Sequence, residues 1–131
     1  MTGGRGWGGG RLGRAAEEAA LAFLTGHGLR VVARNWRCRM GEIDLVALEG
    51  PQVVFVEVKA RRSARWGSPA AAVDRRKQER LWRLASLFLQ SRGWSDRPCR
   101  FDVLALTLTG AGEWTCEWIR DAFQGTPDGR Y

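Results

Sequence analysis

The sequence predicts an α/β domain in the order helix, three strands, helix, two strands. Three observations carry that expectation. Two stretches, Leu12–Leu24 and Ala70–Ser91, repeat apolar residues at the i, i+3, i+4 spacing of a helix with one buried face. Five shorter stretches are mostly apolar and too brief for long helices. Gly and Pro punctuation separates them, at Gly26–Gly28, Gly50-Pro51, Gly93–Pro98 and Gly110–Gly112. A length of 131 residues fits one domain.

Residues 1–11 are Gly-rich and read as a disordered arm, since no strand precedes the glycines and no Gly-Lys-Ser/Thr follows them. In the first helix Leu12, Ala16, Ala19, Ala20, Phe23 and Leu24 form the buried stripe, and Glu17 borders it in line with Ala20 and Leu24. His27, between Gly26 and Gly28, reads as a residue at the helix C-terminus. Leu29–Asn35 is the first expected strand, and Trp36–Met40 a basic loop carrying Arg37 and Arg39. Gly41–Arg62 reads as two strands broken at Glu49–Gln52. Ala60–Pro69 is a basic connection with Arg61, Arg62, Arg65 and Trp66. In the second helix Val73, Lys77, Leu81, Leu84, Ala85 and Phe88 make one stripe. Lys77 is the polar exception on it, and either snorkels along its stem or reaches the edge of a site. Cys99–Thr109 and Trp114–Phe123 are the last two strands, and 124–131 is a polar tail. Domain-like sequence thus runs from 12 to 123.

The chemistry concentrates in Gly41–Arg62. Asp44, Glu57 and Lys59 sit inside apolar strands, where charged groups are rarely buried unless paired or bound to metal. Alternation puts Glu57 and Lys59 on one face, and pairing of the two segments would bring Asp44 beside Glu57. Two adjacent carboxylates suit a divalent cation such as Mg²⁺, which completes its shell with water and phosphate oxygens. A lysine nearby could orient the attacking water or neutralise charge at phosphorus. The bland alternative is a solvated pair of strand-end carboxylates with Lys59 as an ordinary partner of Glu57.

Composition narrows the partners. The net charge is +7, and 19 of the 21 basic residues are arginine, the lysines being Lys59 and Lys77. Such a balance points to a polyanion, with Arg37, Arg39, Arg61, Arg62, Arg65 and Lys77 as candidate nucleic-acid contacts. Three scattered cysteines and one histidine exclude a zinc ribbon, a disulfide framework and a two-histidine nuclease. No apolar run approaches the roughly eighteen residues of a membrane span, and the N-terminus has no signal-like apolar core, so a cytoplasmic protein is expected.

Leu12-Gly13-Arg14, Glu17, Arg34-Asn35, Gly41-Glu42-Ile43-Asp44-Leu45, Val54–Lys59, Lys77 and Arg100-Phe101-Asp102-Val103 together resemble the bacterial YraN family, over about residues 12–123. That family is grouped with archaeal Holliday junction resolvases and other nucleases of the PD-(D/E)XK, restriction-endonuclease-like fold. The resemblance implies a mixed five-stranded sheet flanked by helices. It implies Asp44 and Glu57 as ligands of Mg²⁺ or Mn²⁺, Lys59 as the catalytic lysine, and Glu17 as the helix-one glutamate that completes the site. Ala16 stands where the family usually has glycine, and Ile43 where the motif has proline. The implied activity is endonucleolytic cleavage of branched or junction DNA by a homodimer. A nuclease fold that binds nucleic acid without cutting it is the alternative, and a basic protein acting on larger assemblies is a third reading.

Overall fold

The structure is a computed structural model that describes residues 11–62 and 73–124. Most of the expected arm and tail, and the stretch 63–72 with Arg65 and Trp66, lie outside the described residues. The elements are α1 (Arg11–Gly26), β1 (Arg30–Cys38), β2 (Gly41–Glu49), β3 (Gln52–Arg61), α2 (Arg75–Arg92), β4 (Cys99–Leu108) and β5 (Trp114–Ile119). The strands form one sheet in the order β1-β2-β3-β4-β5. Every neighbouring pair is antiparallel except β3 and β4, which are parallel. A parallel pair needs a long crossover, and the segment containing α2 supplies it.

The helices cover opposite faces. α2 packs Leu81, Leu84, Ala85 and Phe88 on Val46, Phe55, Phe101 and Val103. α1 packs Ala16, Ala20 and Leu24 on Leu45, Val54, Val56 and Leu104. Both faces of the middle strands are therefore buried, which is why β2, β3 and β4 read as near-continuous apolar runs. The β2–β3 turn is two residues long, and Gly50 takes the positive φ of 59° that it requires.

Several boundaries differ from expectation. β1 runs on through Trp36, Arg37 and Cys38, which were expected in a loop. Trp36 is held there by core packing, edge-on to Phe88 at 5.5 Å. α2 starts at Arg75, because Asp74 is its N-cap and accepts from the Lys77 N–H at 2.9 Å; positions 70–72 of the expected helix lie outside the described residues. β5 ends at Ile119 rather than Phe123, where Asp121 turns the chain at φ 52° and Phe123 drops back onto Phe101.

A buried ionic knot ties the far end of the sheet. Arg100 donates twice to Asp102, at 2.8 and 3.0 Å, and also to Glu49 and Gln52, both at 2.7 Å. Asp102, fully buried, accepts further from Trp118 Nε1 and the Asp121 N–H. These bonds fasten β4 to the β2–β3 turn and to the chain just after β5. Trp118, Trp114 and Trp94 are half-buried.

Candidate functional site

The site forms where β2 leaves β3. Their pairing runs from Glu49↔Gln52 to Leu45↔Val56 and stops there. β2 continues with β1 alone to Cys38↔Gly41, while β3 continues with β4 to Arg61↔Thr107. The residues at the fork are Asp44 and Glu57. The Val58 N–H donates to the Asp44 carboxylate, Oδ2, at 2.8 Å. A side chain thus takes over where the backbone ladder ends, which fixes one Asp44 oxygen and satisfies a buried donor.

Between the β1–β2 hairpin and α2 the fork opens as a cleft of about 300 Å³. Asp44 and Glu57 form its floor, Met40, Gly41 and Glu42 one wall, and Lys77, Arg80 and Leu81 the other. Gly41 has φ 146°, a conformation that a side chain would strain, and its position starts the wall. Asp44 and Glu57 are only 3% and 5% exposed. Lys77 Nζ lies 2.6 Å from Glu57 Oε2, and Lys59 Nζ lies 3.6 Å from the same oxygen.

Electrostatics separates the two lysines. Burial pushes the Lys59 amine down, and the attraction of Glu57 is offset in part by the neighbouring Lys77 charge. Burial acts on Lys77 as well, but the charge and hydrogen bond of Glu57 outweigh it and raise its pKa. Lys77 is thus the firmly charged partner of Glu57, and Lys59 the amine more readily neutral. Lys77, for which the sequence left two readings open, lines the cleft beside Glu57.

The structure brings together Asp44, Glu57, Lys59 and Lys77, and it gives Glu17 other partners. The Glu17 carboxylate accepts from Arg34 Nε at 3.0 Å and Asn35 Nδ2 at 2.9 Å, on the α1 side of the sheet. Arg34 also reaches Glu18, and its charge is reinforced chiefly by the Glu17 hydrogen bond. Asn35 has φ 50°, a left-handed conformation that Asn tolerates. No group of three or more His, Cys, Asp or Glu able to hold a metal occurs among the described residues. The carboxylates at the cleft floor are Asp44 and Glu57, and Glu17 is engaged by Arg34 and Asn35. Two hard oxygen donors in a solvent-open cleft fit Mg²⁺ or Mn²⁺, which tolerate few protein ligands when water and phosphate supply the rest.

The arginine candidates divide. Arg37 pairs with Glu42 at 3.2 Å, beside the cleft. Arg39 is exposed next to Met40. Arg61 donates to Thr107 Oγ1 at 3.2 Å, and Arg62 is exposed. Arg65 lies outside the described residues. The sequence reading missed Arg80 and Glu42 as cleft residues. The signal for Arg80 was present: it precedes Leu81 and follows Lys77 by three positions, so it borders the same helical face.

An α/β protein with a mixed five-stranded sheet, a helix on each face and a carboxylate–lysine cleft at the sheet fork is thus defined by fold and geometry. Its sequence matches the profile of the Uncharacterised protein family UPF0102 over residues 16–106. The chain belongs to that family, also called YraN. It is 52% identical to a UPF0102 protein of Stutzerimonas stutzeri over 86% of this chain and 93% of that one. A UPF0102 protein of Pseudomonas entomophila is 51% identical over 86% and 92%. A third, from Symbiobacterium thermophilum, is 51% identical over 86% and 96%.

Proposed function

We propose that this protein is a divalent-metal-dependent endonuclease of PD-(D/E)XK type that hydrolyses phosphodiester bonds in structured DNA, branched or junction-like. One observation carries the reading: Asp44 and Glu57, both buried, form the floor of an open cleft with Lys77 on its wall, and Lys59 lies 3.6 Å from Glu57. Buried carboxylates are costly unless paired or bound to metal, and here Lys77 and Lys59 pair with Glu57 while Asp44 accepts from the Val58 N–H, at the floor of a cleft that a cation could enter. The element order and the ExK spacing of Glu57 and Lys59 support the fold assignment, with Ile43 in the place of the motif's proline.

Asp44 and Glu57 would hold Mg²⁺ or Mn²⁺, and the ion would supply a polarised water and positive charge against the phosphate oxygens. The chain's own groups do the rest. The Val58 N–H holds Asp44 in place. Lys59, 3.6 Å from Glu57, is placed to orient the attacking water or to neutralise charge at phosphorus. Lys77 keeps its charge and, at the cleft wall, faces the substrate phosphate. Glu17 acts at a distance, by fixing Arg34 and Asn35 on β1. A homodimer would match the two equivalent strands of a junction.

The test is cleavage of labelled DNA (four-way junction, flap, single strand, duplex) with Mg²⁺ or Mn²⁺ by the wild type and Asp44→Ala. The wild type should cut and Asp44→Ala should only bind. Full activity in cleanly purified Asp44→Ala would sink the assignment. Binding by both with cutting by neither would make the chain a nucleic-acid clamp.

A further inference from the structure

Arg76, Arg80 and Arg83 stand at i, i+4 and i+7 on α2, so they form one row along the helix. All three are exposed, and none makes an ion pair or hydrogen bond among the described residues. Other arginines of the surface are tied to acids. Arg34, Arg37, Arg75, Arg100 and Arg120 each have a carboxylate partner. On α2 itself the acid, Glu79, belongs to Arg75 on a neighbouring face. The middle member of the row, Arg80, lines the cleft alongside Asp44, Glu57 and Lys77.

We propose that the Arg76–Arg80–Arg83 face of α2 is a track for the phosphate backbone of one nucleic-acid strand, leading it to the cleft. The inference rests on the reading of the cleft as a phosphodiester site and extends it to a surface that the catalytic motif does not include. Length supports it. Seven residues of helix rise about 10 Å at 1.5 Å each. One strand advances about 3.4 Å per nucleotide, so the row spans about three phosphates. A row on a convex helix offers no pocket for a free phosphate, whereas a repeating anion can engage each fork in turn. Across the cleft, Arg39 is exposed and unpaired among the described residues next to the Met40 wall, so the strand meets positive charge on both rims.

The experiment measures binding of a fluorescein-labelled duplex and single strand in EDTA, across a salt series, so that cleavage plays no part. The variant is Arg76→Gln/Arg80→Gln/Arg83→Gln. A control, Arg30→Gln/Arg75→Gln/Arg92→Gln, removes the same charge outside that row, from β1 and from the two ends of α2. Each phosphate contact contributes about 0.9 to the log–log salt slope for duplex and about 0.7 for single strand. The α2 variant should lose roughly 2 to 3 from the slope and bind on the order of a hundredfold more weakly. The control should lose less than about 1. Thermal melts of both establish that they fold. A wild-type slope in the α2 variant overturns the inference, and so does an equal loss in the control, which would reduce the effect to net charge. If Asp44→Ala stops cleavage while the α2 variant binds like wild type, the track fails and the nuclease reading stands. If nothing is cut but the α2 variant loses its slope, the track stands and the nuclease reading fails.

Discussion

Lys77→Met tests the centre of the site with a stability readout. Lys77 Nζ is 2.6 Å from Glu57 Oε2, and its side chain is 20% exposed against 6% for Glu57. Removing one partner of a buried pair costs about 3–5 kcal/mol. Two features reduce that figure here. The lysine head is partly solvated, and Lys59 remains at 3.6 Å to share the charge. The expected cost is about 2 kcal/mol, or roughly 6–10 °C in melting temperature for a domain of this size. Methionine keeps the stem volume, so lost packing contributes little. The assay adds Mn²⁺ to wild type and variant and follows melting by circular dichroism. In the wild type a cation at Glu57 must compete with Lys77. In Lys77→Met it does not, so a fixed Mn²⁺ concentration should raise the variant's melting temperature more than the wild type's and close most of the gap. An ion at a hundred times its Kd contributes about 2.7 kcal/mol, enough to do so. Adding Asp44→Asn to the variant should abolish the rise. A variant that melts with the wild type, or an equal Mn²⁺ response in both, would refute the reasoning.

Two further predictions concern the ionic knot. Arg100→Met leaves Asp102, fully buried, with only the Trp118 and Asp121 donors, and should lose about 3–5 kcal/mol in urea unfolding. Arg100→Met/Asp102→Leu should recover only part of that, since an apolar pair replaces an orphaned charge but leaves the Trp118 and Asp121 donors without their acceptor; a single variant within about 1 kcal/mol of wild type would contradict the account. Glu49 is held below the usual carboxylate range, first by the hydrogen bond from Arg100 and then by its charge and by Arg120, against the opposing effect of burial. A depressed carboxylate stabilises the fold above its unfolded value of about 4.5 and loses that contribution as pH falls through the lower folded value. Glu49→Gln should therefore flatten the loss of stability below about pH 4.5, and an acid limb as steep as wild type would exclude Glu49 as its source.

The sequence carried the elements better than their ends. Periodicity placed both helices, each of which buries one stripe, and near-continuous apolar runs between turn signals placed the central strands, which are buried on both faces. It failed at Trp36–Cys38, where arginines at 37 and 39 read as loop although Trp36 is anchored on Phe88. It failed at Asp74, whose role is a local hydrogen bond rather than a pattern. Within the site, Asp44, Glu57 and Lys59 were legible because charges inside apolar strands demand a reason. Lys77 was half-legible, as a charge on a core stripe. Glu17 was named for the site, but its bonds to Arg34 and Asn35 were not foreseen, because those residues lie 17 and 18 positions away on a strand whose bulge no periodicity announces. The Arg100–Asp102 knot was equally hidden. Both residues fitted a strand, and only the register with β5 brings Trp118 and Asp121 to them.

The position of the cleft follows from the topology. β3 pairs with an antiparallel neighbour on one side and a parallel one on the other. The parallel side has no turn, so β3 and β4 can run together as far as Arg61↔Thr107. The antiparallel side is closed by the turn at Gly50-Pro51, so its far end is free to splay, and the pairing stops at Leu45↔Val56. In open α/β sheets ligands bind beyond the carboxyl ends of parallel strands. Here the splay adds a second opening at that same end, between β2 and β3. Asp44 and Glu57 are the first residues past the last paired rung, and α2, returning over this face to start β4, brings Lys77 and Arg80 to the gap. A β2 that stayed paired to β3 through Glu42 would give the Val58 N–H a backbone acceptor and release Asp44 from its hydrogen bond. The interruption of the sheet is thus the condition for the site, and the residues that sustain it, Asp44 through its bond to Val58 and Gly41 through its backbone, belong to the same machinery as the carboxylates and lysines.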